Sequence, residues 1–196
     1  TVDLVATSSN YLGSALNTSS TQSAVGRFKP AYLDTKVTQG CSTFTYSGQP
    51  FTAEVTAMAR GGTITANYAG ATWAKLVTLS DANGGSGTFS NNTIAATAFS
   101  AGVGSNNTVS YKFASSLTAP ASIGLRATDT DSVSSTGHVE GSTNLRSGRL
   151  RLFNTYGSER MDLSMPLELQ YYNGSSFVRN TADTCTSLGV ANVNLV

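Results

Sequence analysis

At 196 residues the chain can form one large β-domain or two small sandwiches. Its 12 Lys plus Arg stand against 11 Asp plus Glu, a net charge of +1, so no broad field draws phosphate backbones or anionic lipid and nucleic acid is not an expected partner. Charged residues are 12% of the chain, about half of the roughly 25% usual for a soluble domain. Ser, Thr, Asn and Gly fill the polar positions instead, and no apolar run approaches the ~20 residues that span a bilayer, so membrane insertion is not expected.

Thr1 to Thr7 reads as strand and lacks the basic start and apolar core of a signal peptide, as expected for a processed or excised piece of a longer polypeptide. Ser8 to Ser23 is rich in Ser, Thr and Asn and reads as a loop or extended arm. Phe51, Ala53, Val55 and Ala57 then alternate with Thr52, Glu54, Thr56 and Met58, the pattern of a half-buried strand. Arg60-Gly61-Gly62, Ala69-Gly70, Asn83-Gly84-Gly85, Ser105-Asn106-Asn107 and Tyr156-Gly157 read as turns at the short spacing of antiparallel meanders.

Ile123, Leu125 and Ala127 form a second apolar stripe, followed by the polar stretch Asp129 to Asn144. Leu150 with Leu152 gives a third stripe and Leu163, Met165, Leu167, Leu169 and Tyr171 a fourth, in which Pro166 places the strand at an edge or a bulge. Asn173-Gly174 reads as a type I′ hairpin turn between Gln170-Tyr171-Tyr172 and Phe177-Val178. The chain stops in the strand-like run Ala191 to Val196, and neighbouring domains are expected beyond it. About a dozen strands and no clear helix predict an all-β, antiparallel, immunoglobulin-like sandwich, with an N-terminal portion 1–128 and a C-terminal portion 129–196. The second portion either completes the same domain or forms a smaller β-subdomain.

Cys41 and Cys185 have no CxxC spacing, which argues against zinc or a thioredoxin-like redox pair and leaves a disulfide or two buried free thiols. A histidine-based triad has only His138 to draw on, in a polar loop, and no pair of the 11 acids stands out, so no catalysis is expected. Asp129, Asp131 and Glu140 offer hard oxygen ligands for calcium in a Gly- and Ser-rich loop. The competing reading has the aspartates bonding turn amides, and no cofactor is otherwise expected.

Arg146, Arg149, Arg151 and Arg160 cluster, and Arg149 with Arg151 share a strand face opposite Leu150 and Leu152. They can pair with Glu159, Asp162 or Glu168 across the sheet, or bind an anionic ligand. Of the aromatics Tyr68, Trp73, Tyr156, Tyr171, Tyr172 and Phe177, alternation turns Tyr171 inward and Tyr172 outward, which makes Tyr172 the candidate sugar platform. Asn17, Asn91, Asn106 and Asn173 begin sequons that the abundance of these residues explains.

The stretch Phe51 to Ser80, FTAEVTAMARGGTITANYAGATWAKLVTLS, resembles the central strands of bacterial immunoglobulin-like surface modules. VGRFKPAY (Val25 to Tyr32), CSTFTYSGQPF (Cys41 to Phe51), LRATDTDSVSS (Leu125 to Ser135), EGSTNLRSGRLRLFNTYGSE (Glu140 to Glu159) and LELQYYNGSSFVRNTADTCTS (Leu167 to Ser187) together resemble MshQ-like proteins. These are encoded with the mannose-sensitive haemagglutinin type IV pilus of Gram-negative bacteria. The resemblance covers nearly the whole chain. It implies an extracytoplasmic protein, often carrying a lectin-like or laminin-G-like domain elsewhere, with Cys41 and Cys185 joined.

The expected function is a structural or adhesive module of an extracellular, pilus-associated surface protein, contacting other domains of its polypeptide or pilus and surface proteins. A carbohydrate-binding module recognising a surface glycan is the first alternative. A fibre-forming subunit that assembles by strand addition through Thr1 to Thr7 or Ala191 to Val196 is the second.

Overall fold

The computed structural model describes residues 2–8, 18–25 and 29–189. In chain order the strands are β1 (Val2–Ser8), β2 (Thr18–Val25), β3 (Tyr32–Thr38), β4 (Thr45–Tyr46), β5 (Pro50–Met58), β6 (Val77–Asp81), β7 (Thr88–Ser90) and β8 (Thr93–Ile94). They continue with β9 (Phe99–Ser100), β10 (Val103–Lys112), β11 (Ala121–Asp129), β12 (Ser142–Arg146), β13 (Gly148–Leu152), β14 (Leu167–Tyr172) and β15 (Phe177–Arg179). A four-residue helical turn, α1 (Gly70–Trp73), and a 3-10 turn at Ala96–Ala98 complete the described elements. The fold is all-β, as the alternation predicts.

Two five-stranded sheets face each other. One is ordered β3-β5-β10-β7 with β9 also on β10, and the other β4-β12-β11-β6-β8. The alternation of β5 puts Phe51, Ala53, Val55 and Ala57 inward, and that of β11 does the same for Ile123, Leu125 and Ala127. These meet Leu33, Val77, Leu79, Ile94, Val109, Tyr111 and Leu145 in one core. Burial of large side chains here, at ~1.5–3 kcal/mol each, supplies the driving force for sandwich formation. Strands from both sides of residues 128/129 lie in the second sheet.

The stretch 130–141 joins β11 to β12 and seals the free edge of β3. Leu33 N–H donates to the Ser134 carbonyl at 3.1 Å, Thr35 N–H to Val139 at 2.8 Å, and Gly141 N–H to Thr35 at 3.1 Å. Thr35 Oγ1 donates across the core to the Leu125 carbonyl at 2.7 Å. Gly141 lies so close to β3 that a Cβ there would meet Lys36 Cα at 2.9 Å, so only glycine fits. The edge strand thereby loses its unpaired row and the two sheets are fastened on that side.

Several local expectations change. Thr18 to Ser23, read as part of a loop or arm, belongs to the strand β2, which pairs antiparallel with β1, while 9–17, including the Asn17 sequon, lie outside the described residues. Ser105-Asn106-Asn107 is not a turn but an irregularity inside β10, where pairing with β5 shifts between Asn106 and Val109. The Asn106 amide donates to the carbonyls of Asn91 and Thr93 at 2.9 Å each and ties this irregular stretch to the connection between β7 and β8.

The remaining strands, β13-β14-β15, form a third, antiparallel sheet. Its central strand begins at Leu167, directly after Pro166, so the proline precedes the ladder rather than sitting at an edge within it, and Leu163 and Met165 fall in the exposed connection. The β14–β15 hairpin forms at the expected place, but its loop has four residues, 173–176. Gly174 takes φ 108 and the Asn173 carboxamide oxygen accepts from Ser175 N–H and Ser176 N–H. Asn173 is not in the left-handed region that a type I′ turn requires of it. The run Ala191 to Val196 lies outside the described residues.

Candidate functional site

The third sheet is clamped to the sandwich at the end of β12. β12 pairs in parallel with β4, setting Arg146 opposite Tyr46. The Arg146 guanidinium lies 4.4 Å from the centre of the Phe44 ring and 4.7 Å from that of Tyr171, and its Nη1 donates to Asn180 Oδ1 at 2.7 Å. Asn180 Nδ2 donates to the Tyr46 hydroxyl at 2.6 Å, which donates in turn to Asp183 Oδ2 at 2.7 Å. The Tyr46 ring fills the space beside Gly148, where a Cβ would meet it at 2.5 Å.

Asp183 also accepts from the backbone of Cys185 at 3.0 Å and of Thr186 at 2.9 Å, which bends the chain so that Cys185 reaches Cys41. The two are bridged, with Cα atoms 5.4 Å apart across 144 residues of sequence. Burial pushes Tyr46 up to about 12, helped by its bond to Asp183. The same burial would raise Asp183, but the donors from Tyr46 and Thr186 outweigh it and hold the carboxyl below its ordinary value. An ionised aspartate and a neutral tyrosine therefore share a short bond at the seam.

Asp129, Asp131 and Glu140 do not converge on one point. Asp129 is buried and accepts from the amides of Asp131 at 2.8 Å and Val133 at 2.9 Å and from the Tyr68 hydroxyl at 2.9 Å, the turn arrangement that competed with calcium. Glu140 is paired bidentately with Arg126, at 2.8 and 3.2 Å, and accepts from Ser135. Its carboxyl is held below the usual range chiefly by the Arg126 bond.

Among the described residues, the one cluster of His, Cys, Asp and Glu close enough for a metal is Cys41, Asp183 and Cys185, and its sulfurs are spent on the bridge. Adding calcium or a chelator is expected to move the melting temperature by less than about one degree, because no specific ligand shifts the folding equilibrium. A larger rise with calcium, read by calorimetry, would reinstate the metal.

Arg149 and Arg151 do share a face of β13, and Arg151 faces the expected Glu168 across the ladder, but neither arginine forms an ion pair among the described residues. Arg149 Nε donates to Gln170 Oε1 at 2.8 Å and its guanidinium covers Phe177 at 3.8 Å, while Gln170 passes a bond on to Glu168. Arg151 stands opposite Glu168 in register and lies over Phe153 at 4.5 Å. Tyr172 is half-buried, edge-on to Phe177 at 5.4 Å, with its hydroxyl donating to the Gly174 carbonyl. It is part of the hairpin's packing rather than an open platform.

Leu150 and Leu152, paired across the ladder with Leu169 and Leu167, occupy the other face of this sheet. Leu150, Leu152 and Leu167 are 47%, 57% and 42% exposed. The alternation marks the stripe as apolar, yet no layer among the described residues covers it. An exposed apolar stripe of this kind is a candidate contact surface. Met161, Leu163 and Met165, in the connection between β13 and β14, add to the exposed apolar side chains of this region.

No helix among the described residues is long and apolar enough to cross a membrane. No curated protein and no solved structure matches the chain. Family models do: the third domain of DUF6701 matches residues 1–150 and the fourth domain matches residues 146–196, the two meeting where β12 gives way to β13. The chain therefore belongs to the DUF6701 family, with its sandwich in the third-domain match and its leucine-faced sheet in the fourth.

Proposed function

We propose that the chain is a non-catalytic structural or adhesive module of an extracellular, pilus-associated surface protein of the MshQ-like type. In this reading its leucine face docks onto another domain of the same polypeptide or onto a pilus or surface protein. The single observation that carries the reading is that apolar face, held in place by the Arg146–Asn180–Tyr46–Asp183 chain and the disulfide. A disulfide persists in an oxidising compartment, which supports an extracytoplasmic location. Matches to a third and a fourth domain support a larger polypeptide, and the five quoted motifs support the pilus context. His138 stacks its ring on Tyr32 at 3.7 Å, a packing role that supports the non-catalytic reading.

Substituting Leu150→Ser, Leu152→Ser and Leu167→Ser together tests it. Each side chain is about half exposed, so the three changes together are expected to cost the isolated chain about 2–4 kcal/mol and to leave it folded, which its melting curve checks. Cells carrying the triple variant in the full-length protein are expected to lose surface display or pilus-dependent adhesion, read by antibody labelling and attachment assays. Display and attachment equal to wild type would reject the docking role.

A further inference from the structure

At the opposite end of β11 from the third sheet's seam, the turn after β5 and the entry to β3 leave a groove of about 700 Å³ lined by Lys29, Pro30, Thr65, Asn67, Tyr68 and Trp73, among others. That volume falls in the ~300–1,000 Å³ range of small-molecule sites. Its floor is rigid. Tyr68 is buried, edge-on to Phe99 at 5.1 Å, and its hydroxyl is tied to Asp129, while the backbone of 65–68 is bonded to Ala57 and Gly102.

Trp73 is the chain's single tryptophan and is 59% exposed, although the next residue, Ala74, is buried and bonds back to Gly70 at 3.0 Å. The short turn α1 is thus anchored in the core while presenting a large ring to solvent beside a groove. Nothing in core packing requires that. Around the ring stand hydrogen-bonding groups without protein partners among the described residues: the Asn67 carboxamide, the indole N–H, and the Thr65 hydroxyl, which is buried in the wall with nothing to bond. Lys29, whose ammonium reaches the Asp131 carbonyl at 3.4 Å, closes the rim.

We propose that this groove binds a pyranose saccharide, its apolar ring face stacked on Trp73 and its hydroxyls bonded by Asn67 and Lys29. An aromatic face offers large contact area to C–H groups at small entropic cost, and amide and ammonium donors suit ring hydroxyls or a uronate. A lipid chain would leave these polar groups unpaired. A proline-rich peptide would call for further exposed aromatics to grip successive residues, where one stands here. The site shares no residue with the leucine sheet, so it adds a ligand to the proposed module and does not depend on the docking role.

The lone tryptophan makes the test direct, because indole emission reports from this groove and nowhere else. The 196-residue chain is titrated with oligomers of glucose, N-acetylglucosamine and galacturonate while that emission is followed, and it is screened on an array of bacterial and animal glycans. Saturable change with at least one saccharide is expected, and Trp73→Ala should weaken array binding about tenfold or more. Asn67→Ala should weaken it less. Both side chains are exposed, so unchanged melting curves will show that the variants fold. A blank array with flat emission, array binding that survives Trp73→Ala, or a response to proline-rich peptide but to no saccharide would overturn the site, leaving the leucine-face result untouched.

Discussion

Reducing the Cys41–Cys185 bridge is expected to lower stability by about 2–5 kcal/mol, a fall in melting temperature of roughly 5–20 °C for a chain of this size. The bridge spans 144 of the chain's 196 residues, so opening it frees about three quarters of the denatured chain, and the loop-entropy estimate for that length is about 5 kcal/mol. Cys185 is exposed while Cys41 is buried, so reductant reaches the bond from the C-terminal side without prior unfolding. Melting with and without dithiothreitol, and of the Cys41→Ser/Cys185→Ser double variant, should agree. Hydrogen exchange should show the amides of Cys185 and Thr186, held by Asp183, losing protection ahead of those in β5 and β11. An unchanged melting temperature would mean that the Arg146–Asn180–Tyr46–Asp183 chain alone carries the seam.

That seam was legible only in part. The bridge follows from resemblance, since spacing by itself leaves free thiols open. The polar chain beside it joins residues from Tyr46 to Asp183, 137 positions apart, and no local pattern links them. Alternation does locate β5 and β11, because both strands are buried on one face and wet on the other. It cannot say whether an apolar stripe is covered: Phe51 to Ala57 and Leu150 with Leu152 look alike in sequence, yet the first lies under a second sheet and the other faces solvent.

Single turns escape periodicity altogether. Trp73 stands on a four-residue helix, too short for a repeat to form, and alternation directed attention to Tyr172, whose ring is occupied by Phe177. Ser105-Asn106-Asn107 misleads for a related reason. Asparagine commonly breaks strands by bonding nearby backbone, and here the same capacity of Asn106 holds an irregular strand together.

Apart from loss of the disulfide, replacing Asp129 is expected to be the most damaging single change outside the apolar core. Its carboxylate terminates β11 and organises the connection that seals β3, with Oδ1 accepting from two amides and Oδ2 from the Tyr68 hydroxyl. Burial drives the Tyr68 hydroxyl well above its ordinary pKa, with the adjacent carboxylate pushing the same way, so this group remains a donor throughout the neutral range. Asp129→Ala strands three donors in a buried site, each worth ~1–3 kcal/mol if nothing replaces the acceptor, and a net loss of about 3 kcal/mol is expected once water recovers part of it. Asp129→Asn keeps one oxygen for the two amides and should cost about 1–2 kcal/mol, close to Tyr68→Phe, because each removes the same charged bond. A double-mutant cycle between the two positions measures that shared bond directly. All three losses should be identical in calcium and in chelator. If Asp129→Ala were harmless in chelator and damaging only with calcium present, the residue would be a ligand after all and the turn would be its by-product.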